Sequence, residues 1–198
     1  MAGYSSYSFK AVKKKFGLQS VNDDLFGQTP SIVPSDWLKN ALIRGDKMAT
    51  ITEKSRSEWI VAPILMEIKY LNINKLSVIS GENLDIDKDL SLTGECDFVF
   101  SRNPNALVIE APIFCMIEAE KNDIMGGLGQ CIAQMIGAQR LNEQDGIHYP
   151  MIYGCVTTGK EWKFLKMEGN LVTIHHQEIY LNEIPRLLGI FQTIIDAF

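Results

Sequence analysis

The chain has 198 residues, of which 46% are hydrophobic and 22% charged, with 19 basic and 24 acidic side chains and a formal net charge of −5. That length and apolar content supply one sizeable core, so a single domain over 1–198 is expected. No window reaches the ~18 consecutive apolar residues of a membrane span, and the opening MAGYSSYSFKAVKKK lacks the apolar core of a signal peptide, which points to a soluble, cytoplasmic protein with no membrane partner. The cysteines Cys96, Cys115, Cys131 and Cys155 lack CxxC spacing and sit in apolar runs; they read as buried free thiols, not as a disulfide framework or a zinc site.

The stretch ending at Phe16 fits a short helix with a serine cap. Its Lys10, Lys13, Lys14 and Lys15, with Lys54 and Arg56 later, read either as solvated helix faces or as a basic rim for phosphates. Residues 17–35, rich in Gly, Pro, Asn, Asp and Ser, read as an irregular connector. Ser35 then caps a helix in which Trp37, Leu38, Ala41 and Leu42 keep helical spacing. A longer helix is expected over 52–71, started near Ser55 or Ser57 and bent or begun late because Pro63 falls inside the pattern. Glu58 lies in its first part, where a carboxylate complements the helix dipole.

Residues 75–80 form a first strand, and the polar run 81–94 a turn region. Its alternating Asp85, Asp87 and Asp89 lack the glycine and terminal glutamate of a calcium loop. The stretch 94–134 is the most informative. Gly94 to Phe100 is a short strand with Asp97 near its start, and Ile113 to Lys121 a buried strand that ends in charge. Period two puts Phe114, Met116, Glu118 and Glu120 on one face and Ile117, Ala119 and Lys121 on the other. Antiparallel pairing across the loop 102–112 brings Asp97 to Glu118 and Glu120. Clustered carboxylates oppose their joint ionisation, a conflict that a divalent cation resolves. Mg²⁺ takes one or two protein carboxylates and leaves its other positions to water and phosphate.

Gly126-Gly127 opens a helix with Leu128, Cys131, Ile132, Met135 and Ile136 as its core stripe and Gln130 and Gln134 one turn apart beside it. GGLG lacks the GK[ST] ending of a phosphate loop. Met151 to Val156 and Glu161 to Met167 read as a hairpin, Leu171 to His175 as an edge strand, and Asn182 to Phe198 as an amphipathic helix. His175 and His176 adjoin on a strand, so their side chains are expected to point apart; with the loop residue His148 they take structural readings.

Asp97 opening one strand, Glu118-Ala119-Glu120-Lys121 ending the next, Glu58 on the preceding helix and Gln130 on the following one resemble the PD-(D/E)XK nuclease superfamily over roughly residues 50–170. The resemblance implies an α/β protein with a restriction-endonuclease-like αβββαβ core, a central mixed sheet flanked by helices. Residues 1–50 would be an N-terminal helical extension, 51–170 the nuclease-like core and 171–198 a C-terminal edge strand and helix. It implies Asp97, Glu118, Glu120 and Glu58 as ligands of Mg²⁺ or Mn²⁺, with Lys121 and Gln130 joining Asp97, Glu118 and Glu120 in catalysis. The reaction would be hydrolysis of phosphodiester bonds of nucleic acid, DNA ahead of RNA. Cys96 stands where the family has proline, and Glu120 where it has lysine. Three readings of that departure stay open: a working Glu118-x-Glu120 site, a twist or bulge that swings Lys121 onto the site face, or a decayed site in a nuclease-fold binding or interaction module. A two-fold homodimer is the default assembly.

Overall fold

The computed structural model describes residues 3–120 and 123–198. Ser8 accepts from the Ala11 N–H at 3.3 Å and starts helix α1 (Phe9–Phe16), which Gly17 ends in the left-handed conformation. Strand β1 (Gln19–Asp23) follows, in a stretch expected to be irregular. Ser35 accepts from the Leu38 N–H at 3.1 Å and opens α2 (Asp36–Gly45).

The helix expected over 52–71 is built in three pieces: α3 (Glu53–Arg56), a π turn at Ser57–Val61 and α4 (Ala62–Leu71). Thr52 is its cap, and Ser55 completes the capping box from the third position. Pro63 explains the break. Its ring clashes with the carbonyl four residues back and offers no N–H to it, and a wide π turn moves that carbonyl aside. The carbonyl is that of Trp59, and it lies so near Gly45 that a Cβ there would stand 2.4 Å from its oxygen. The proline and the glycine together dock α2 onto the bend.

The remaining elements are β2 (Ser77–Asn83), β3 (Glu95–Ser101), β4 (Ile113–Ala119), α5 (Ile124–Gln144), β5 (Ile152–Thr157), β6 (Glu161–Glu168), β7 (Leu171–His175), β8 (Ile179–Tyr180) and α6 (Ile184–Asp196). The strands form one mixed eight-stranded sheet in the order β1-β7-β6-β5-β4-β3-β2, with β8 beside β6. β4 runs parallel to β5 and β1 parallel to β7; the other pairs are antiparallel. The expected edge strand β7 is therefore an inner one, because β1 covers it. α4 and α6 pack on one face around Phe100, Trp162 and Phe191, and α1 and α5 on the other around Val99, Met116 and Cys131. The protein is thus α/β, a mixed central sheet flanked by helices.

Two local expectations fail for physical reasons. Phe114 does not share the face of Met116: it packs with Phe100 and Phe198, because the register between β3 and β4 shifts at Phe100/Ser101 and leaves Phe114 as the extra residue of a bulge. His175 and His176 do not point apart, since His175 is the last residue of β7 and the chain bends immediately after it; their rings lie 4.9 Å apart. All four cysteines are free and buried, and burial pushes their thiols up, so they stay protonated. Among the described residues no helix is long and apolar enough to cross a membrane.

Candidate active site

The β3–β4 ladder ends at Phe98↔Ile117, and the next residues toward that end are Asp97 and Glu118. Asp97 Oδ2 accepts from the Ala119 N–H at 2.7 Å, so its carboxylate takes the place of a main-chain partner where the strands separate. The same carboxyl shares a hydrogen bond with Glu118. Glu118 is only 5% exposed. Helix α5 lies over it and aims two amides at its two oxygens: Gln130 Nε2 donates to Oε1, and Gln134 Nε2 donates to Oε2 at 2.7 Å. The second glutamine is itself fully buried, and its Oε1 has no hydrogen-bond partner.

Glu120 continues the strand, with its main-chain N–H donating to the Thr157 carbonyl of β5 at 2.7 Å. Its side chain lies on α5 at Gly127, where a Cβ would stand 2.6 Å from Glu120 Cγ. The helix opens at Ile124, ahead of the two glycines expected to open it, and of these Gly127 is the one needed for close approach to the acidic strand. Asp97, Glu118, Glu120 and Gln130 line one open cleft of about 970 Å³, together with Glu53, Asp85 and Glu95. Lys88 is the one base among its described lining residues.

Burial raises both carboxyls of the central pair. The Glu118 carboxyl is held well above the ordinary glutamate range, first by loss of water and then by the neighbouring Asp97 charge. Asp97 is raised mainly by burial, with Glu53 and Glu95 adding to it and the Ala119 N–H opposing. A carboxyl whose pKa is higher folded than unfolded favours folding while protonated. Its contribution is full below the unfolded value and is lost as pH rises through the folded value. Stability measured by urea denaturation is therefore expected to fall as pH rises from about 4, the unfolded carboxyl range, through the raised values. Millimolar Mg²⁺ should flatten that slope; an identical slope with and without the ion would contradict the reading of the pair as a cation site.

The structure brings four of the expected site residues, Asp97, Glu118, Glu120 and Gln130, to one cleft. Glu58 lines an adjoining cavity that Asp97 also borders, and it pairs with Lys54 at 3.9 Å. Glu53 borders both cavities, and its charge raises both Asp97 and Glu118. Lys121 lies outside the described residues. Gln134 and Glu53 were not expected at the site. The one-turn spacing of Gln130 and Gln134 carried a signal for the first, whereas the π turn that sets the aspect of 53–61 left none for the second.

The donor set in the cleft is all oxygen, which suits a hard cation of the Mg²⁺ or Mn²⁺ type. Asp97 and Glu118 are the pair in mutual contact. Among the described residues, the group of three metal-ligating side chains that meets within 4.8 Å is a different one, Asp24, His175 and His176. An ion in the cleft would accordingly rest on two carboxylates and complete its shell with water. No known family model matches the chain, and no curated protein matches it.

Proposed function

We propose that the acidic cleft is a divalent-cation site for hydrolysis of phosphodiester bonds in nucleic acid, DNA first, on a restriction-endonuclease-like core. Supporting the fold is the element order from 53 to 157: helix, three antiparallel strands, helix, and a strand parallel to the third, with sheet order β2-β3-β4-β5. The observation that carries the function is the Asp97–Glu118 pair: a half-buried and a buried carboxyl in contact at a strand end, the buried one oriented by two glutamines. Such a pair costs stability when ionised, and a cation offsets that cost.

When bound there, Mg²⁺ or Mn²⁺ lowers the pKa of a coordinated water and neutralises charge on the phosphate. Asp97 and Glu118 hold it. Gln130 and Gln134 fix the Glu118 carboxylate in one orientation, the supporting role that outer-shell residues play around metal ligands. Glu120 extends the acidic wall, and the exposed Lys10, Lys14 and Lys15 of α1 supply positive charge for a polyanion.

The net charge of −5 and the glutamate at position 120 favour a second reading, a binding or interaction module that retains the fold without cleavage. End-labelled single- and double-stranded DNA and RNA, incubated with the protein and Mg²⁺ or Mn²⁺, separate the two. Metal-dependent scission that Asp97→Asn removes is expected. Metal binding or its absence without any scission would leave the module, and no binding at millimolar ion would end the nuclease reading.

A further inference from the structure

We propose that Asp24, His175 and His176 form a second metal site, separate from the acidic cleft, that takes a borderline transition ion of the Zn²⁺ class. The parallel register of β1 and β7 pairs Asp23 with His175, and the His176 N–H donates to the Asp23 carbonyl at 3.0 Å. The two chains therefore leave the sheet side by side at the same end. One ligand atom from each of Asp24, His175 and His176 lies within 4.8 Å of the others.

The contacts at His175 favour an ion. Its Nδ1 accepts from the Leu25 N–H at 3.2 Å, which places the proton of a neutral ring on Nε2. The same Nδ1 lies 3.6 Å from Asp24 Oδ1, so with the ring proton on Nε2 no hydrogen bond joins the ring to the carboxylate beside it. Burial pushes the His175 imidazole down, toward the neutral form that ligates metals. Asp24 Oδ1 is itself held by the N–H groups of Phe26 at 3.1 Å and Gly27 at 2.9 Å, which keep the carboxylate ionised and in place.

Two imidazoles and one carboxylate suit Zn²⁺, with a water in the fourth position. Zinc–ligand bonds of about 2.0–2.1 Å require the three atoms to draw closer than they stand. Asp24 and His176 are exposed and supply that movement, while the buried His175 is the fixed point. The 3.2 Å bond from Leu25 is at the long end of the hydrogen-bond range and gives up little when the ion takes the lone pair. A bound ion would tie the edge strand β1 and the loop after it to β7.

Calorimetric titration of the EDTA-stripped protein with ZnCl₂ in excess Mg²⁺ tests this. One Zn²⁺ per chain is expected in the wild type and equally in Asp97→Asn. Binding should weaken by roughly 100-fold or more in His176→Ala, and by at least about 10-fold in Asp24→Asn, the effect expected for lost shell residues. Both substituted side chains are exposed, so far-UV circular dichroism should show folded variants. Absence of Zn²⁺ binding, binding indifferent to His176→Ala, or binding removed by Asp97→Asn would each overturn the proposal, the last by assigning the ion to the cleft.

Discussion

Glu118→Gln is expected to abolish metal-dependent cleavage and to make the protein more stable. The wild-type carboxyl is buried beside Asp97 and raised well above its ordinary range, so its ionisation works against folding. An amide carries no charge to desolvate and removes the penalty. The amide must still satisfy two glutamine donors. Glu118 accepts from both Gln130 and Gln134, whereas glutamine at 118 offers one acceptor and one donor group. Rotation of the Gln134 amide resolves the mismatch, because its Oε1, now buried without a partner, becomes an acceptor for the new NH₂. We expect the variant to melt at a higher temperature than the wild type at pH 8, because it carries no buried charge there. The advantage should shrink as pH falls and the wild-type carboxyl takes up its proton. On the proposed function, in which Glu118 holds the cation, its loss should cost on the order of 100-fold or more in cleavage rate. A variant that melts lower than wild type at pH 8 would show that Glu118 is held by contacts worth more than its burial costs.

Much of this site was legible because its signals are local. Asp97 near a strand start, acids closing the next strand and glutamines one helical turn apart need only the periods of strand and helix. The serine caps at Ser8 and Ser35 were legible for the same reason. What escaped depends on distant pairing. β1 has the sequence QSVND, mostly exposed and without alternation, and becomes a strand only because β7, some 150 residues later, offers it an edge. With β1 hidden, the approach of Asp24 to His175 and His176 was hidden too. The π turn before Pro63 likewise set Glu53 at the cleft and Glu58 beside it, a choice that rests on α2 docking at Gly45 and not on helical spacing. Phe114 changed faces through a bulge that no pattern of side chains marks.

The second large effect is expected at Asn142, far along α5 from the cleft. Ile113 begins β4 ahead of Cys115, the first β4 residue paired with β5, so β5 offers it no partner. Asn142, 1% exposed, supplies both halves of the missing pair: its Oδ1 accepts from the Ile113 N–H at 2.8 Å and its Nδ2 donates to the Ile113 carbonyl at 2.6 Å. Asn142→Ala orphans two buried main-chain groups at about 1–3 kcal/mol each, so chemical denaturation should show a loss of roughly 2–6 kcal/mol. Asn142→Asp separates this account from simple loss of packing. Aspartate keeps the acceptor, but its second oxygen opposes the Ile113 carbonyl, so the loss at pH 7 should match or exceed that of alanine. Its carboxyl should be raised in the folded state, and protonation restores a donor, so the deficit should shrink as pH falls toward 4. A deficit independent of pH would rule out the paired hydrogen bonds as the cause. The clamp also registers the helix that carries Gln130 and Gln134 against the strand that carries Glu118. If that register aims the carboxylate, cleavage by the folded fraction of Asn142→Ala should drop with no residue of the cleft altered.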